Sequence, residues 1–296
     1  MAKSSGKSVN LDNCVSVITG GGSGIGRSVA MELAKATPSE NRSNTRIIVS
    51  DIRFEAAQEV VTSLEKLGAT AVAFECDVSK EEDVVRLAKK TKSTFGKLNL
   101  LFNVAGVNLV RKLHETSSND VEWLFSVNVF GMCHMVRHFV PLLKAAAAGS
   151  ETAHIINVSS GFGLAVPSMG PVQPSAYAGT KHAVVGLSDA MRKELAPDCI
   201  GLSVVCPGVV NTDAWNSMSF RQARFGGPKQ GTAESKERLK AWGQDPKETA
   251  NLVLAGLCRG DFFILPLDDA GRSSMRTEIE ERYGALRSAL EESYKP

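Results

Sequence analysis

No apolar run in this chain approaches the ~18 residues that a membrane-spanning helix requires. The six cysteines, at 14, 76, 133, 199, 206 and 258, form no C-x-x-C pair and no metal-binding spacing. Most lie in apolar runs such as CVSVITG and LSVVCPG, where a thiol behaves as a small hydrophobe. No disulfide framework is expected, and a reduced, cytoplasmic protein is. The five histidines (114, 134, 138, 154 and 182) show no H-E-x-x-H pattern. His134 and His138 share a helix face but have no evident third ligand, so no metal is expected. Charge of one sign is lacking too: 34 Lys and Arg against 32 Asp and Glu leave a formal +2, with no block of like charges. That argues against nucleic acid or an anionic membrane surface as a partner. The opening MAKSSGKSVNLDN holds no apolar stretch of the signal-peptide kind. Residues 1–9 read as a flexible tail. No Pro/Ser-rich linker divides the chain and no repeat is visible.

What is present is ordinary globular material, 43% hydrophobic and 22% charged, enough for one domain with a large core. Apolar runs at Val15–Thr19, Arg46–Ser50, Ala71–Glu75, Leu98–Asn103, His154–Val158, Leu202–Cys206 and Phe262–Leu265 read as strands. Helical patterns separate them at Gly24–Ala36, Phe54–Leu67, Glu81–Phe95, Asn119–Ala147, Ala176–Leu195 and Asp245–Arg259. Short strands spaced by helices imply βαβ units and a parallel sheet of about seven strands, an α/β fold. The strands are apolar almost throughout, as expected when helices cover both faces. Three segments fall outside this alternation. TPSENRSNT (Thr37–Thr45) is a polar excursion with no evident chemistry. Thr212–Gln244 is long and carries Trp215, Met218, Phe220, Phe225 and Trp242, which suggests a lid. Residues 273–295 look helical, with Met275, Ile279, Tyr283, Leu286 and Leu290 on one stripe.

Two constellations carry chemistry. The first strand runs into T-G-G-G-S-G-I-G, Thr19 to Gly26, and then a helix. Glycines in that context let a backbone approach a pyrophosphate seated on the helix N-terminus, although a glycine cluster alone also makes a plain turn. An acid, Asp51, ends the next strand, 25 residues beyond Gly26, where a carboxylate binds the hydroxyls of an adenosine ribose. The second constellation is Tyr177 and Lys181, four apart and so on one helical face. Both side chains commonly just cover a helix surface. A cation beside a phenol also favours the phenolate, which predicts a lowered Tyr pKa and proton exchange near neutrality.

From about residue 10 to 265 the chain resembles the short-chain dehydrogenase/reductase family. The family's glycine motif is met by Gly20, Gly24 and Gly26, its acid after the third strand by Asp77, and its N-N-A-G by Asn103-Val104-Ala105-Gly106. Its catalytic Asn matches Asn128, its Ser falls on Ser160, and its Y-x-x-x-K on Tyr177 and Lys181. Its Pro-Gly turn and following Thr match Pro207, Gly208 and Thr212. The resemblance implies a single Rossmann-type domain over 10–265, a doubly wound parallel sheet with the lid at 212–244 and a helical extension at 266–296. It also implies a dinucleotide site of Gly20, Ser23, Gly24, Ile25, Gly26, Asp51 and Ile52, continued by Asp77, Val78, Asn103, Ala105 and Gly106. Pro207, Gly208, Val210, Thr212, Tyr177 and Lys181 complete it. Catalysis would fall to Asn128, Ser160, Tyr177 and Lys181, with Ser160, Trp215 and Met218 toward substrate.

Val104 departs from the family pattern by one residue. The interval between Ser160 and Tyr177 is longer than usual, which keeps Ser159 as a rival hydroxyl and places GFGLAVPSMGPVQP in the pocket wall. Asn128 would hold a water relaying protons from Lys181. NAD is expected over NADP, because Asp51 repels a 2′-phosphate and Ser23 stands where NADP users carry a basic residue; Arg27 and Arg53 argue the other way. The expected activity is interconversion of a secondary alcohol and its ketone, with a bulky hydrophobic or aromatic small molecule as substrate. A sugar-nucleotide epimerase and a non-catalytic nucleotide-sensing or scaffold protein are the alternatives. The resemblance also implies a homodimer or homotetramer built on the two long helices. The C-terminal stripe would dock on a neighbouring subunit or close over the substrate pocket.

Overall fold

Strands that are apolar on both sides need two layers of helix. The computed structural model, which describes residues 8–166 and 172–292, supplies them. Strands β1 (Val15–Thr19), β2 (Arg46–Asp51), β3 (Thr70–Glu75), β4 (Leu100–Asn103), β5 (His154–Val158), β6 (Gly201–Val205) and β7 (Phe263–Ile264) form one sheet. Every pairing is parallel, in the order β3-β2-β1-β4-β5-β6-β7. Successive residues of a strand face opposite layers. Val17 and Leu101 enter one core with Val84, Trp123, Phe139 and Val184; Ile18 and Phe102 enter the other with Val29, Leu33, Leu64 and Val253.

The helices are α1 (Gly24–Ala36), α2 (Phe54–Lys66), α3 (Glu81–Phe95), α4 (Ser118–Phe125), α5 (Gly131–Ala148) and α6 (Ser175–Leu195), then α7 (Ala233–Trp242), α8 (Pro246–Cys258) and α9 (Asp269–Glu292). Their ends follow local chemistry. Helix α3 opens with Glu81, Glu82 and Asp83 at the positive end of its dipole and closes on Gly96, whose φ of 76° is left-handed. Helix α4 starts with a reciprocal capping box between Ser117 and Asp120. None of these helices is long and apolar enough to cross a membrane, among the described residues.

One helix expectation needs correction. The single helix read over Asn119–Ala147 is interrupted by a π segment at Ser126–Phe130, between α4 and α5. Hydrophobic periodicity does not register one wide turn, and such turns often accompany function. The segment read as a lid is likewise no open loop: it contains 3₁₀ turns at Asp213–Phe220 and Ala223–Phe225, then α7. The excursion at Thr37–Thr45 holds a 3₁₀ turn, closed by a 2.8 Å hydrogen bond from the Thr45 to the Thr37 hydroxyl. Val9, at the end of the segment read as a tail, is buried and donates its N–H to Cys258 O.

His154 starts β5 with its ring buried and Nε2 2.9 Å from the Ser203 hydroxyl. Burial pulls its pKa down from 6.5 to about 4. Between those values the unfolded chain binds a proton that the folded chain refuses, so stability falls as pH drops through the window. At about 1.4 kcal/mol per pH unit, this one group removes about 3 kcal/mol by pH 4. Urea unfolding at pH 7 and pH 4.5 is expected to show a smaller acid-induced loss for His154→Gln than for the unmodified protein. Equal losses would assign the effect to other groups.

From β1 the chain steps outward to β2 and β3, and β4 begins on the opposite side of β1. The two halves leave a crevice at the carboxyl ends of β1 and β4, the usual ligand position in open sheets of this kind.

Candidate active site

The end of β1 is tied to the end of β4 through one hydroxyl. Thr19 Oγ1 donates to Phe102 O and accepts from the N–H groups of Val104 and Ala105 at 3.0 and 3.2 Å. The glycine turn then leads into α1. Gly24 has a φ of +50° with the Thr212 methyl close by, and a Cβ on Gly26 would collide with the Gly20 carbonyl. Ser23 precedes α1 in extended conformation without a side-chain cap. The N–H groups of the first turn, including Gly24, Ile25 and Gly26, lack intrahelical acceptors and suit an anion.

Asp51, at the end of β2, accepts from Gly22 N and Arg53 N, both at 3.0 Å. A carboxylate has about four acceptor positions, so each oxygen keeps capacity for another donor. Ile52 lies between them, half-buried. Asp77, beyond β3, uses Oδ1 for the N–H and hydroxyl of Ser79. Its Oδ2 is buried without a hydrogen bond, as is Oδ1 of Asn103. Asn103 Oδ1 is unpaired, at a typical cost of about 1–3 kcal/mol, and Asp77 Oδ2 has only the Arg224 guanidinium, 3.5 Å away. Two buried acceptors with spare capacity beside a glycine cradle fit a ligand rich in N–H and O–H donors, such as the adenosine and ribose groups of a dinucleotide. Val78 is buried next to Asp77. At the other side, Pro207 O accepts from Gly161 N, Gly208 lies against Leu267, and Val210 bridges to Gln244. Thr212 accepts from Ala214 N at 3.3 Å.

Helix α6 brings Tyr177 and Lys181 to the same crevice. Lys181 is buried, donates to Val158 O at 3.1 Å and sits 5.6 Å from the centre of the Tyr177 ring. Ser160 leaves β5 in extended conformation, accepts from Phe162 N at 3.3 Å and lies beside the Tyr177 hydroxyl. Ser159 faces elsewhere: its hydroxyl donates to the Lys181 carbonyl at 2.8 Å. The two neighbouring hydroxyls thus point in different directions. Asn128, in the π segment, spends its amide on Val107 N, Val107 O and Thr180 Oγ1 at 2.8, 2.9 and 3.0 Å. It splices α4–α5 to α6 and to the turn carrying Gly106, whose Cα hydrogens face Asn128 Oδ1 and Lys181 Nζ.

The expected lowering of the Tyr177 pKa is not what the geometry produces. Burial pushes the phenol up to about 12, against a smaller opposing effect of the Ser160 hydroxyl. Burial likewise pulls Lys181 down to about 8. Each charged form loses hydration, and the ammonium lies over the ring face. Desolvation therefore outweighs the mutual attraction.

Several residues around the site carried little sequence signal. Asn157 faces Asn103 in register across β4 and β5, accepts from its amide at 2.8 Å and donates to Ser188 at 3.0 Å. A polar residue inside the apolar run HIINV was the available hint. Thr180 and Thr19 act through pairings that only the fold creates. Of the residues assigned toward substrate, Ser160 meets Tyr177, whereas Met218 packs on the core. Trp215 lines a cavity of about 370 Å³ with Arg27, Lys236 and Lys240. Arg221 and Arg224 of that segment are already paired, with Asp120 and Asp77 respectively. Residues 167–171 of the stretch assigned to the pocket wall lie outside the described residues. Helix α9 packs beside the described part of this stretch: Met275 lies against Gly161 of the same chain, and Arg282 reaches Leu164 O and His182. The far half of its stripe, Tyr283, Leu286 and Leu290, is exposed. No group of three or more potential metal ligands occurs among the described residues.

A Rossmann-like sheet with a glycine cradle, an acid after β2 and a Ser-Tyr-Lys group at the crevice defines a class, and comparison gives the family. The model of the family described as short chain dehydrogenase matches residues 14–222. The chain belongs to the short-chain dehydrogenase/reductase family and is an oxidoreductase of that family. It is 36% identical to the cyclohexanol dehydrogenase of Acinetobacter sp. over 68% of this chain and 75% of that one. It is 29% identical to the C alpha-dehydrogenase of Sphingobium sp. over 92% of this chain and 85% of that one. A short-chain dehydrogenase/reductase from Burkholderia phymatum, solved in complex with NAD, superposes with a TM-score of 0.79 at 31% identity, covering 90% of this chain and 92% of that one.

Proposed function

We propose that this protein is an NAD(H)-dependent oxidoreductase interconverting a secondary alcohol and its ketone, with a bulky hydrophobic or aromatic substrate. The observation that carries the reading is Ser160 placed beside Tyr177, with buried Lys181 one turn further along α6. Bound across the crevice by the α1 N-terminus, Asp51, Asp77, Asn103 and Lys181, NAD would supply the hydride acceptor, or in reduced form the donor. The chain's own residues handle the proton. Tyr177, protonated throughout the neutral range, donates to a ketone oxygen; in the reverse direction it must first give up that proton, and takes the alcohol's proton as a phenolate. Phe162 N–H holds the Ser160 oxygen, leaving the hydroxyl proton free to stabilise charge developing on the substrate oxygen. Lys181 titrates near pH 8 and so can pass protons at neutrality. Phe162, edge-on to Tyr177 at 6.1 Å, and Met275 give the neighbouring wall an apolar character. The name of one relative, a cyclohexanol dehydrogenase, agrees with a secondary alcohol. Assembly as a homodimer or homotetramer belongs to the same reading, with Phe130 and Leu187 exposed on the long helices.

The preference for NAD rests on Asp51. A 2′-phosphate would place about two negative charges against this carboxylate. Even at an effective dielectric of 20, unit charges 4 Å apart repel by about 4 kcal/mol, and a tenfold preference needs only about 1.4 kcal/mol. Arg53 offers little relief, because its Nε already lies 3.5 Å from Asp51. Arg27 faces the cavity shared with Lys236 and Lys240. Turnover of steroid, aryl and aliphatic secondary alcohols with each cofactor tests the reading. NAD is expected to exceed NADP at least tenfold in kcat/KM, and Asp51→Ala to erode that margin by weakening NAD. Equal or better efficiency with NADP would remove the cofactor assignment; no nicotinamide reduction with any alcohol class would remove the activity.

A further inference from the structure

The lid does not stop at the catalytic end of the crevice. It begins at Thr212, beyond β6 and beside Gly24, and its 3₁₀ turns carry it across to the far strands of the sheet. Phe220 there lies under the Arg53 guanidinium, 4.5 Å from ring centre to Cζ. Arg224 donates to the Ser79 hydroxyl at 2.7 Å and stands 3.5 Å from Asp77 Oδ2. Arg53 follows Asp51 by two residues, and Ser79 follows Asp77 by two. Both lid contacts therefore land on the elements that the proposed function assigns to adenosine. Between them, Arg221 is buried against Asp120 of α4, and Phe225 is buried in the core. These two anchors give the crossing segment a fixed seat.

We propose that Asp213–Phe225 is a strap over the adenosine half of the crevice, with Arg224 and Phe220 as positioning residues that retain the bound dinucleotide. Asp77 Oδ2 keeps no hydrogen bond of its own, so an adenine amino group can donate to it while Arg224 stays on Ser79. Arg224 then closes the rim and holds the carboxylate in place by charge. Phe220 and Arg53 form the facing side, an aromatic ring and a guanidinium plane of the kind that stacks well on flat groups. Release of the dinucleotide would require the strap to lift, which puts the effect of these residues in the dissociation rate. The inference rests on the proposed dinucleotide reading and adds residues to it.

The test is NADH dissociation, followed by its fluorescence after displacement with excess NAD. Arg224→Ala and Phe220→Ala are each expected to raise the off-rate about tenfold, equivalent to about 1.4 kcal/mol, with Arg224→Lys in between. Association is expected to change by about twofold at most. ADP-ribose affinity should fall in parallel, whereas reduced nicotinamide mononucleotide, which has no adenosine, should bind the variants and the unmodified protein alike. Unchanged NADH off-rates would overturn the strap. So would tighter binding by Arg224→Ala, which would make Arg224 a competitor of adenine for Asp77. Equal weakening for the mononucleotide would point to general loosening of the lid and count against it as well. An unmodified protein that binds no NADH would remove the dinucleotide reading itself, a result distinct from normal NADH binding with indifferent variants.

Discussion

Tyr177→Phe is expected to lower kcat by about 10²- to 10⁴-fold, the usual cost of losing a general acid or base. The substitution removes one oxygen from a ring that packs edge-on against Phe162 and lies beneath Lys181. Packing is preserved, so NADH affinity and the unfolding midpoint should stay near those of the unmodified protein. The neighbouring serines give an internal control. Ser160→Ala removes the hydroxyl that faces the phenol and should cost catalysis heavily. Ser159→Ala removes a bond to the Lys181 carbonyl and should act mainly on stability. Near-normal turnover in Tyr177→Phe would remove the phenol from the reaction. A larger kinetic loss in Ser159→Ala than in Ser160→Ala would transfer the hydroxyl's role.

The second large effect is on stability. Asp120 and Arg221 form an ion pair with both side chains 1% exposed. Asp120 also accepts from Arg111 at 3.3 Å and from Ser117 N at 3.2 Å, and the Arg221 guanidinium lies 5.3 Å from the centre of the Trp123 ring. Removing one partner of a buried pair typically costs about 3–5 kcal/mol, because the other charge is left without compensation. Asp120→Ala should fall in that range; it also removes the Asp120 half of the α4 capping box, while the Ser117 side-chain bond to the residue 120 N–H remains. Arg221→Met should lie at its lower end, since Arg111 still faces the carboxylate. Replacing both partners with apolar residues should cost less than the sum of the single changes, the signature of direct coupling. Urea unfolding of the four proteins reads this out. Losses below about 1 kcal/mol for both single variants would show that the lid is not anchored through this pair.

How much was legible in the sequence depended on the range of the interaction. The extents of β1, α1 and α3 follow from residues within a few positions, and the structure reproduces them. An apolar run, a glycine turn and an acidic first turn act where they stand. The cradle at Thr19–Gly26 and the acid at Asp51 were readable for the same reason: strand, turn and helix are contiguous, and parallel pairing of β1 with β2 places Asp51 at the same edge.

What the sequence could not determine involves direction, distance along the chain or burial. Ser159 and Ser160 are adjacent and chemically alike, and only the path of the chain leaving β5 turns one toward Tyr177 and the other toward the Lys181 carbonyl. The pairs Arg221–Asp120 and Arg224–Asp77 join residues more than a hundred positions apart, so no local pattern announces them. The π turn at Asn128 is set by the partners it meets, Val107 and Thr180, rather than by helical periodicity. The spacing of Tyr177 and Lys181 correctly put both on one helical face, yet spacing carries no information about hydration. Tertiary burial alone decided that the phenol rises to about 12 and the ammonium falls to about 8. An isolated helix leaves both groups in water, and the folded sheet and its covering helices remove that water.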